Sequence, residues 1–373
     1  MTTGVFRGEQ LALARQRRLL SKVDCARALN ISIRTLANYE SNRSAPTAAA
    51  LTHIAEQLDF RESFFFMDSA GLPAPAVASF RALARMSARV RDSALAAASL
   101  GLELQKWIGR KFDLPTPNLP DLGGAEPELA AAHVRTAWDI QANTAPNIIH
   151  LLESKGVRVL ALPLTIADAD GLSLWHEGIP FAFLNTTKSG ERSRFDAAHE
   201  LGHLILHRQG SPAGRDAEAE ANLFASAFLM PEEPIRRFVG HRQVSMSLVL
   251  SIKQEFRVSA MSLVFRLERL RIISQWAARS LFQQLSSQGF RSAEPGGIPR
   301  EGSQLLSKVI AILNAEGVRY STIAEELGWS NHELFGLLEG LVVVPTTTTR
   351  VDGRMALRTM SAVDKPVGLR LVR

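Results

Sequence analysis

Cysteine is almost absent from this 373-residue chain: Cys25 stands alone. One thiol excludes an internal disulfide and argues against an iron–sulfur cluster or a cysteine-rich zinc site. Cys25 falls at an apolar helical position, where a small core residue is expected. Long apolar runs are also missing, and none approaches the roughly 20 residues needed to cross a bilayer. The first residues, MTTGVFRGEQ, lack the basic-then-apolar pattern of a secretory leader. A cytoplasmic protein with no membrane association is therefore expected. Tyrosine is scarce as well, with only Tyr39 and Tyr320. Acidic residues are outnumbered, 37 against 43 Lys and Arg, for a net charge of +6. A sequence pI near 9.8 permits nucleic-acid binding without requiring it. The excess lies early: residues 1–66 carry nine Lys/Arg against six Asp/Glu, and residues 81–111 add Arg81, Arg85, Arg89, Arg91, Lys106, Arg110 and Lys111.

The length is too great for one small core, so two or three domains are expected. Residues 1–66 read as a compact all-α unit of short helices, with Ser21 and Ser32 as candidate caps. Residues 67–124 read as a helical connector followed by a Pro/Gly-rich linker, DLPTPNLPDLGGAEPE, which marks a domain boundary. Residues 125–275 alternate in character. Two helices, PELAAAHVRTAWDI and APNIIHLLESKG, precede three strands, VRVLALPL, GLSLWHE and PFAFLNTT, and helices return from Arg192. Residues 276–373 are mainly helical where legible. Their one clear feature, YSTIAEELGWSNHELFGLLEGL, is a pair of short amphipathic helices around a Gly-Trp turn. It carries few basic residues, so packing or dimerisation suits it better than a second DNA-reading motif. The expected fold is multidomain: an all-α first unit, an α+β domain with a small sheet, and a mainly α C-terminal region.

Chemistry concentrates in RSRFDAAHELGHLILH, residues 192–207. On a helix, positions four apart share a face, so His199 and His203 direct their imidazoles to one point. H-E-x-x-H uses that geometry to hold zinc, with the glutamate beside the water to be activated. A plainer reading is two core histidines satisfied by hydrogen bonds. The next segment, RDAEAEANLFASAFLMP, weighs against it. Its apolar stripe of Ala221, Phe224, Ala225 and Phe228 continues through Glu218 and Asn222. A carboxylate on a core-facing stripe is costly unless paired or bound to metal. Glu218, 15 residues after His203, is therefore the candidate third ligand, and Asn222 a group that orients a ligating histidine. Glu220 points elsewhere and is expected in solvent. His207 lies a turn beyond His203, and a supporting or surface role is expected of it rather than ligation. His176 and His241 are expected to do nothing special.

These two motifs closely resemble the ImmA/IrrE family of zinc metallopeptidases, with Phe228 where leucine is usual. The resemblance covers about residues 125–275. It implies a zincin-like domain in which His199, His203 and Glu218 bind Zn2+ and Glu200 is the general base of peptide hydrolysis. PFAFLNTT is expected to offer an edge to an extended substrate. Such enzymes use a Tyr or His for the oxyanion, and neither tyrosine is an obvious donor, so that role is unassigned.

SKVDCARALNISIRTLANYESNRSAPT closely resembles the lambda-repressor-like (Cro or XRE type) helix-turn-helix, through Ala26, Leu29, Ile31, Ser32, Thr35, Leu36, Tyr39 and Glu40. The resemblance implies that Ser32, Arg34, Thr35 and Asn38 approach base edges of operator DNA and that Arg43 approaches phosphates. Lys22 stands where many members have glutamine; it suits a phosphate but cannot make the amide's bidentate contact with adenine. Dimerisation is expected because such modules bind paired half-sites. Together the resemblances imply a regulator that joins operator binding to zinc-dependent cleavage of a repressor, an antitoxin or itself. The alternative is a transcription factor whose peptidase-like domain senses a protein or a small ligand (acyl-CoA in some related regulators) without proteolysis.

Overall fold

The computed structural model describes residues 4–68, 71, 87–141, 143–163, 170–208, 215–290, 294–342 and the backbone of 370–371. Residues 80–86, with Arg81 and Arg85, and the break at Gly210, Pro212 and Gly214 lie outside the described residues.

The first unit is four helices, α1 (Gly8–Arg17), α2 (Lys22–Ala28), α3 (Ile33–Glu40) and α4 (Ala48–Leu58), closed by a 3-10 turn at Glu62–Phe66. Hydroxyls start three of these helices. Ser21 accepts from the Asp24 amide, Ser32 from Thr35 and Thr47 from Ala50, each cap contributing about 1 kcal/mol. Leu11, Leu36 and Ile54 are wholly buried between the helices, and Cys25 joins them as a core thiol. The link from α2 to α3 is short because Asn30 takes a left-handed turn, φ 52°.

A long helix, α5 (Ala88–Gly109), leads out of this unit. Its first half packs on α1, with the Ser93 hydroxyl donating to the Arg17 carbonyl. Its second half crosses the sheet at Gly101, beside Phe183 and Leu160. One helix is thus core to both domains. The Pro/Gly stretch that follows is not a loose tether. Asn118 donates to the Lys155 carbonyl, Leu122 to that of Ile205, and Leu119 is buried.

The second domain begins with α6 (Pro127–Ala137) and α7 (Ile148–Ser154), and three strands follow: β1 (Arg158–Ala161), β2 (Gly171–His176) and β3 (Ile179–Leu184). β3 is central, parallel to β1 and antiparallel to β2. PFAFLNTT therefore has both edges occupied and cannot pair with a substrate, contrary to expectation. The strand with an unpaired outer edge on this side, among the described residues, is β2. Helices α8 (Gly190–Leu206) and α9 (Arg215–Leu229) then pack on each other, and α8 also packs on β2 and β3. They are followed by α10 (Glu232–Val239), α11 (Met246–Phe256), α12 (Ala260–Arg269) and α13 (Gln275–Ser287).

The C-terminal helices α14 (Gln304–Ala315), α15 (Tyr320–Glu326) and α16 (Asn331–Leu338) fold back across both units. Glu153 of α7 caps α14, accepting from the Ser303 hydroxyl and from the amides of Gln304 and Leu305. The Gly-Trp turn docks on the first unit: Arg61 donates to the Gly328 carbonyl, and Phe60 and Trp329 form a β-bridge. Glu333, 1% exposed, takes both Arg17 Nε at 2.8 Å and Arg18 Nη1. The tail is a packing element, as its few basic residues implied, and its partner is the same chain. A buried ion pair is destabilising to break because it strands the surviving charge. Glu333→Ala should cost roughly 3 kcal/mol in urea unfolding and expose the junction to protease. Arg61→Ala, which breaks a more exposed pair with Glu325, should cost less than about 1 kcal/mol.

Candidate functional site

Gly202 determines how the site is assembled. A methyl group there would sit 3.2 Å from both the Ala221 Cα and a ring carbon of Phe224. With hydrogen instead, α9 lies close across α8 at the turn that carries His203. Phe224, Ala225 and Phe228 bury completely below this crossing, and each buried aromatic contributes about 1.5–3 kcal/mol to holding it. The N-terminal end of α8 is anchored by Arg194, 1% exposed, which donates to the carbonyls of Ala145 and Pro146 and to Glu301 at 2.5 Å. The arginine of the RSRF segment thus positions the histidine helix.

At the crossing three side chains converge. His199 Nε2 lies 3.1 Å from His203 Nε2 and 3.5 Å from Glu218 Oε2. His203 Nε2 lies 3.3 Å from Glu218 Oε1, and the three ligand atoms fall within 4.8 Å of one another. Two imidazole nitrogens and a carboxylate facing one point are the donor set of an open tetrahedral zinc site. The second nitrogen of each histidine is held. His199 Nδ1 meets Asn222 Oδ1 at 3.0 Å, the role expected of Asn222. His203 Nδ1 meets His207 Nδ1 at 2.9 Å, and His207 Nε2 meets Glu220 Oε2 at 2.9 Å. Glu220 is therefore not simply in solvent: it terminates a relay behind His203. The signal for it was the repeat of histidine at 199, 203 and 207, which keeps one helix face polar.

Electrostatics follow from burial. Desolvation pushes the His203 imidazole down to about 4, keeping it in the neutral form that ligates. Burial disfavours the charged form of His199 too, but Glu218, Glu200 and Asp196 outweigh it and raise the ring's pKa. Burial likewise opposes ionisation of Glu218, yet the two histidines override it and hold the carboxyl well below the usual range. Glu200 has no such compensation. Burial pushes it up to about 7, against the pull of His199 and of a hydrogen bond from Ser173. Its Oε2 is buried without a hydrogen-bond partner. Gly171 at the start of β2 lies over the same carboxylate, and a methyl group there would fall 2.4 Å from Oε1. A carboxylate kept dry, with one oxygen unpartnered and a near neutral pKa, beside a candidate cation site suits a proton acceptor. The donor set and this orphaned oxygen together fit a catalytic metal.

A groove of about 780 Å³ opens beside the site, lined by Phe195, Asn222, Leu223, Met261 and Phe265 and flanked by Arg192 and Arg269. No tyrosine reaches it: Tyr39 packs on Phe6 and Tyr320 on Phe335. His176 ends β2 and His241 follows α10, and neither belongs to the group of His199, His203 and Glu218.

In the first unit the start of α3 faces outward. Ser32, Ile33 and Arg34 are exposed, Thr35 and Asn38 half-buried, and Arg43 exposed. The Ser32 hydroxyl is committed to Thr35 as a cap, which leaves Arg34 as the free long donor. Lys22 is drawn to Glu40 at 3.2 Å, and Arg89 to Asp24 at 3.2 Å.

Among the described residues, no helix is long and apolar enough to cross a membrane. No curated protein matches the chain. Residues 152–268 match the family model of the IrrE N-terminal-like domain, peptidase M78, and residues 11–65 match the helix-turn-helix model. The chain thus carries a helix-turn-helix domain of the XRE type followed by an M78 peptidase-like domain of the IrrE kind.

Proposed function

We propose that this protein is a DNA-binding regulator whose second domain is a zinc-dependent endopeptidase acting on a protein substrate. The observation that carries the peptidase reading is the convergence of His199, His203 and Glu218 beside a buried carboxylate with an unsatisfied oxygen. His199, His203 and Glu218 would hold the ion, with Asn222 and the His207–Glu220 pair fixing the rings. Bound zinc supplies Lewis acidity and brings the pKa of water towards neutrality. Glu200 takes the proton from the attacking water and returns it to the leaving amine. An extended peptide lies along the outer edge of β2, with side chains in the groove between Phe195 and Phe265. A repressor or antitoxin cleaved to release transcription is the substrate class that fits a chain that also binds operators. Arg34, Thr35 and Asn38 read base edges, Arg43 and Lys22 meet phosphates, and a dimer spans paired half-sites.

The absence of a tyrosine in the groove supports the second reading, a sensor that binds protein or ligand without cutting. Glu200→Gln separates the two. The variant should retain stoichiometric zinc by elemental analysis while cleavage of the target falls by about 10²–10⁴-fold. A regulator that works unchanged in cells with Glu200→Gln is a sensor. Glu218→Ala should lose both metal and cleavage. Asn222→Ala and Glu220→Ala should keep the fold yet weaken zinc by about 10–100-fold in chelator competition, as loss of ring-orienting partners does.

At the operator, Arg34→Ala should cost about 1–3 kcal/mol and relax sequence preference at one base pair. Arg43→Ala should weaken all sequences alike and lower the salt slope by about one. Equal, sequence-independent losses from both substitutions would remove Arg34 from base reading.

A further inference from the structure

Arg158, the first residue of β1, is 6% exposed, yet no hydrogen bond or ion pair holds its guanidinium among the described residues. Its Nη1 is wholly buried without a partner. The other buried arginines among the described residues each have a carboxylate or carbonyl partner. Arg194 has Glu301 and two carbonyls, Arg17 has Glu333, and Arg266 has Glu128 and the Met230 carbonyl. Burial without a counter-charge lowers the Arg158 pKa to about 10. A permanently cationic group held that way is costly.

The side chain does not end in packed core. It lines a cavity of about 480 Å³ between α5 and the sheet, within the range of about 300–1,000 Å³ typical of small-molecule sites. The walls are Leu102, Phe112, Leu114, Ile179 and Phe181, and Gln105 lies opposite on α5. Gln105 is 5% exposed, and its Oε1 is also buried without a partner. Lys106 and His176 add basic or titratable nitrogen to the rim, whereas Asp113 and Glu177 stand exposed there and pair with neither. The cavity is not the metal site: none of its lining residues is a ligand or borders the groove beside Glu218.

We propose that this cavity is a binding site for a small organic anion, a carboxylate or phosphate monoester on an apolar body, with Arg158 as its counter-charge. The planar guanidinium matches either anion with paired N–H donors. The Gln105 carbonyl accepts from a hydroxyl or N–H beside the anionic group, and the Phe112 and Phe181 side takes the apolar portion. The site does not depend on the peptidase reading. Its position is also informative, since α5 contacts the ligand with one half and the DNA-binding unit with the other.

The test uses the full chain and three probes that share a phenyl body: 3-phenyllactate, phenyl phosphate and, as cationic control, phenethylamine. At concentrations far above Kd, one of the two anions should raise the thermal midpoint by about 5 °C, and phenethylamine should not. The better anion identifies the headgroup, carboxylate or phosphate. Arg158→Met should abolish the response and raise the midpoint of the free protein, because it removes a buried unpaired charge while keeping the bulk. Arg158→Lys should retain a response weakened by about tenfold in Kd by calorimetry. Failure of both anions to move the wild type overturns the proposal. So does an Arg158→Met protein that responds as the wild type does.

Discussion

The close crossing of α8 and α9 at Gly202 is the constraint from which the site follows. Two histidines on one helix face cannot alone define a catalytic cation site, because a third donor must arrive from elsewhere. The crossing delivers Glu218 to within 3.5 Å of both rings, and it is held by apolar burial of Phe224, Ala225 and Phe228, not by the charges themselves. That division is physically sensible. Three ionisable groups pressed together without a cation form a poor structural element, so rigidity has to come from the packing behind them. Arg194 and Glu301 do the corresponding work at the other end of α8.

The same principle extends to the C-terminal region. Glu301 belongs to the segment before α14 yet lies in the interior of the peptidase-like domain, bonded to Arg194 and to the Ile148 amide. Glu333 of α16 lies in the interior of the junction with the DNA-binding unit. Two buried carboxylates from the last third of the described chain therefore neutralise arginines of the two earlier domains. The fold is knitted by these long-range ion pairs, which explains why a region with no recognisable motif is mainly buried helix.

Local chemistry was legible in the sequence, and long-range pairing was not. The caps Ser21 and Ser32 could be read because capping acts over three residues. The three strands could be read from alternation and β-branched or aromatic content, and the grouping of His199, His203 and Glu218 from helical spacing plus one misplaced carboxylate. The order of the strands was not legible: β3 looks like an edge by position, next to the histidine helix, and becomes central only when β1 pairs with it in parallel. Arg194–Glu301 and Arg17–Glu333 join residues 107 and 316 apart, and no periodicity encodes such partners. The pairing of Glu220 with His207 was not legible for a related reason. The Glu220 side of α9 is polar, as solvated faces are, and its side chain is 39% exposed, but it also meets His207 across the gap.

Helix α5 bears on how one chain could combine two activities. The exposed residues Ser32, Ile33 and Arg34 lie at the start of α3, the helix proposed to meet DNA. The surfaces that join this unit to the rest of the chain are elsewhere: the end of α1 through Arg17 and Arg18, the 3-10 turn through Arg61, and the flank of α5. The groove beside His199 and Glu218 is lined by α8, α9 and α12, none of which forms that junction. The groove and the exposed start of α3 are therefore separate surfaces, neither of which takes part in that junction. Any coupling between them has to pass through the shared elements, and among the described helices both α5 and α16 are packed against α1 and the sheet. A change in how the second half of α5 sits over Phe183 and Leu160 would be carried along a continuous hydrogen-bonded rod to Ser93 and the Arg17 carbonyl. There it would meet the same turn of α1 that Glu333 clamps.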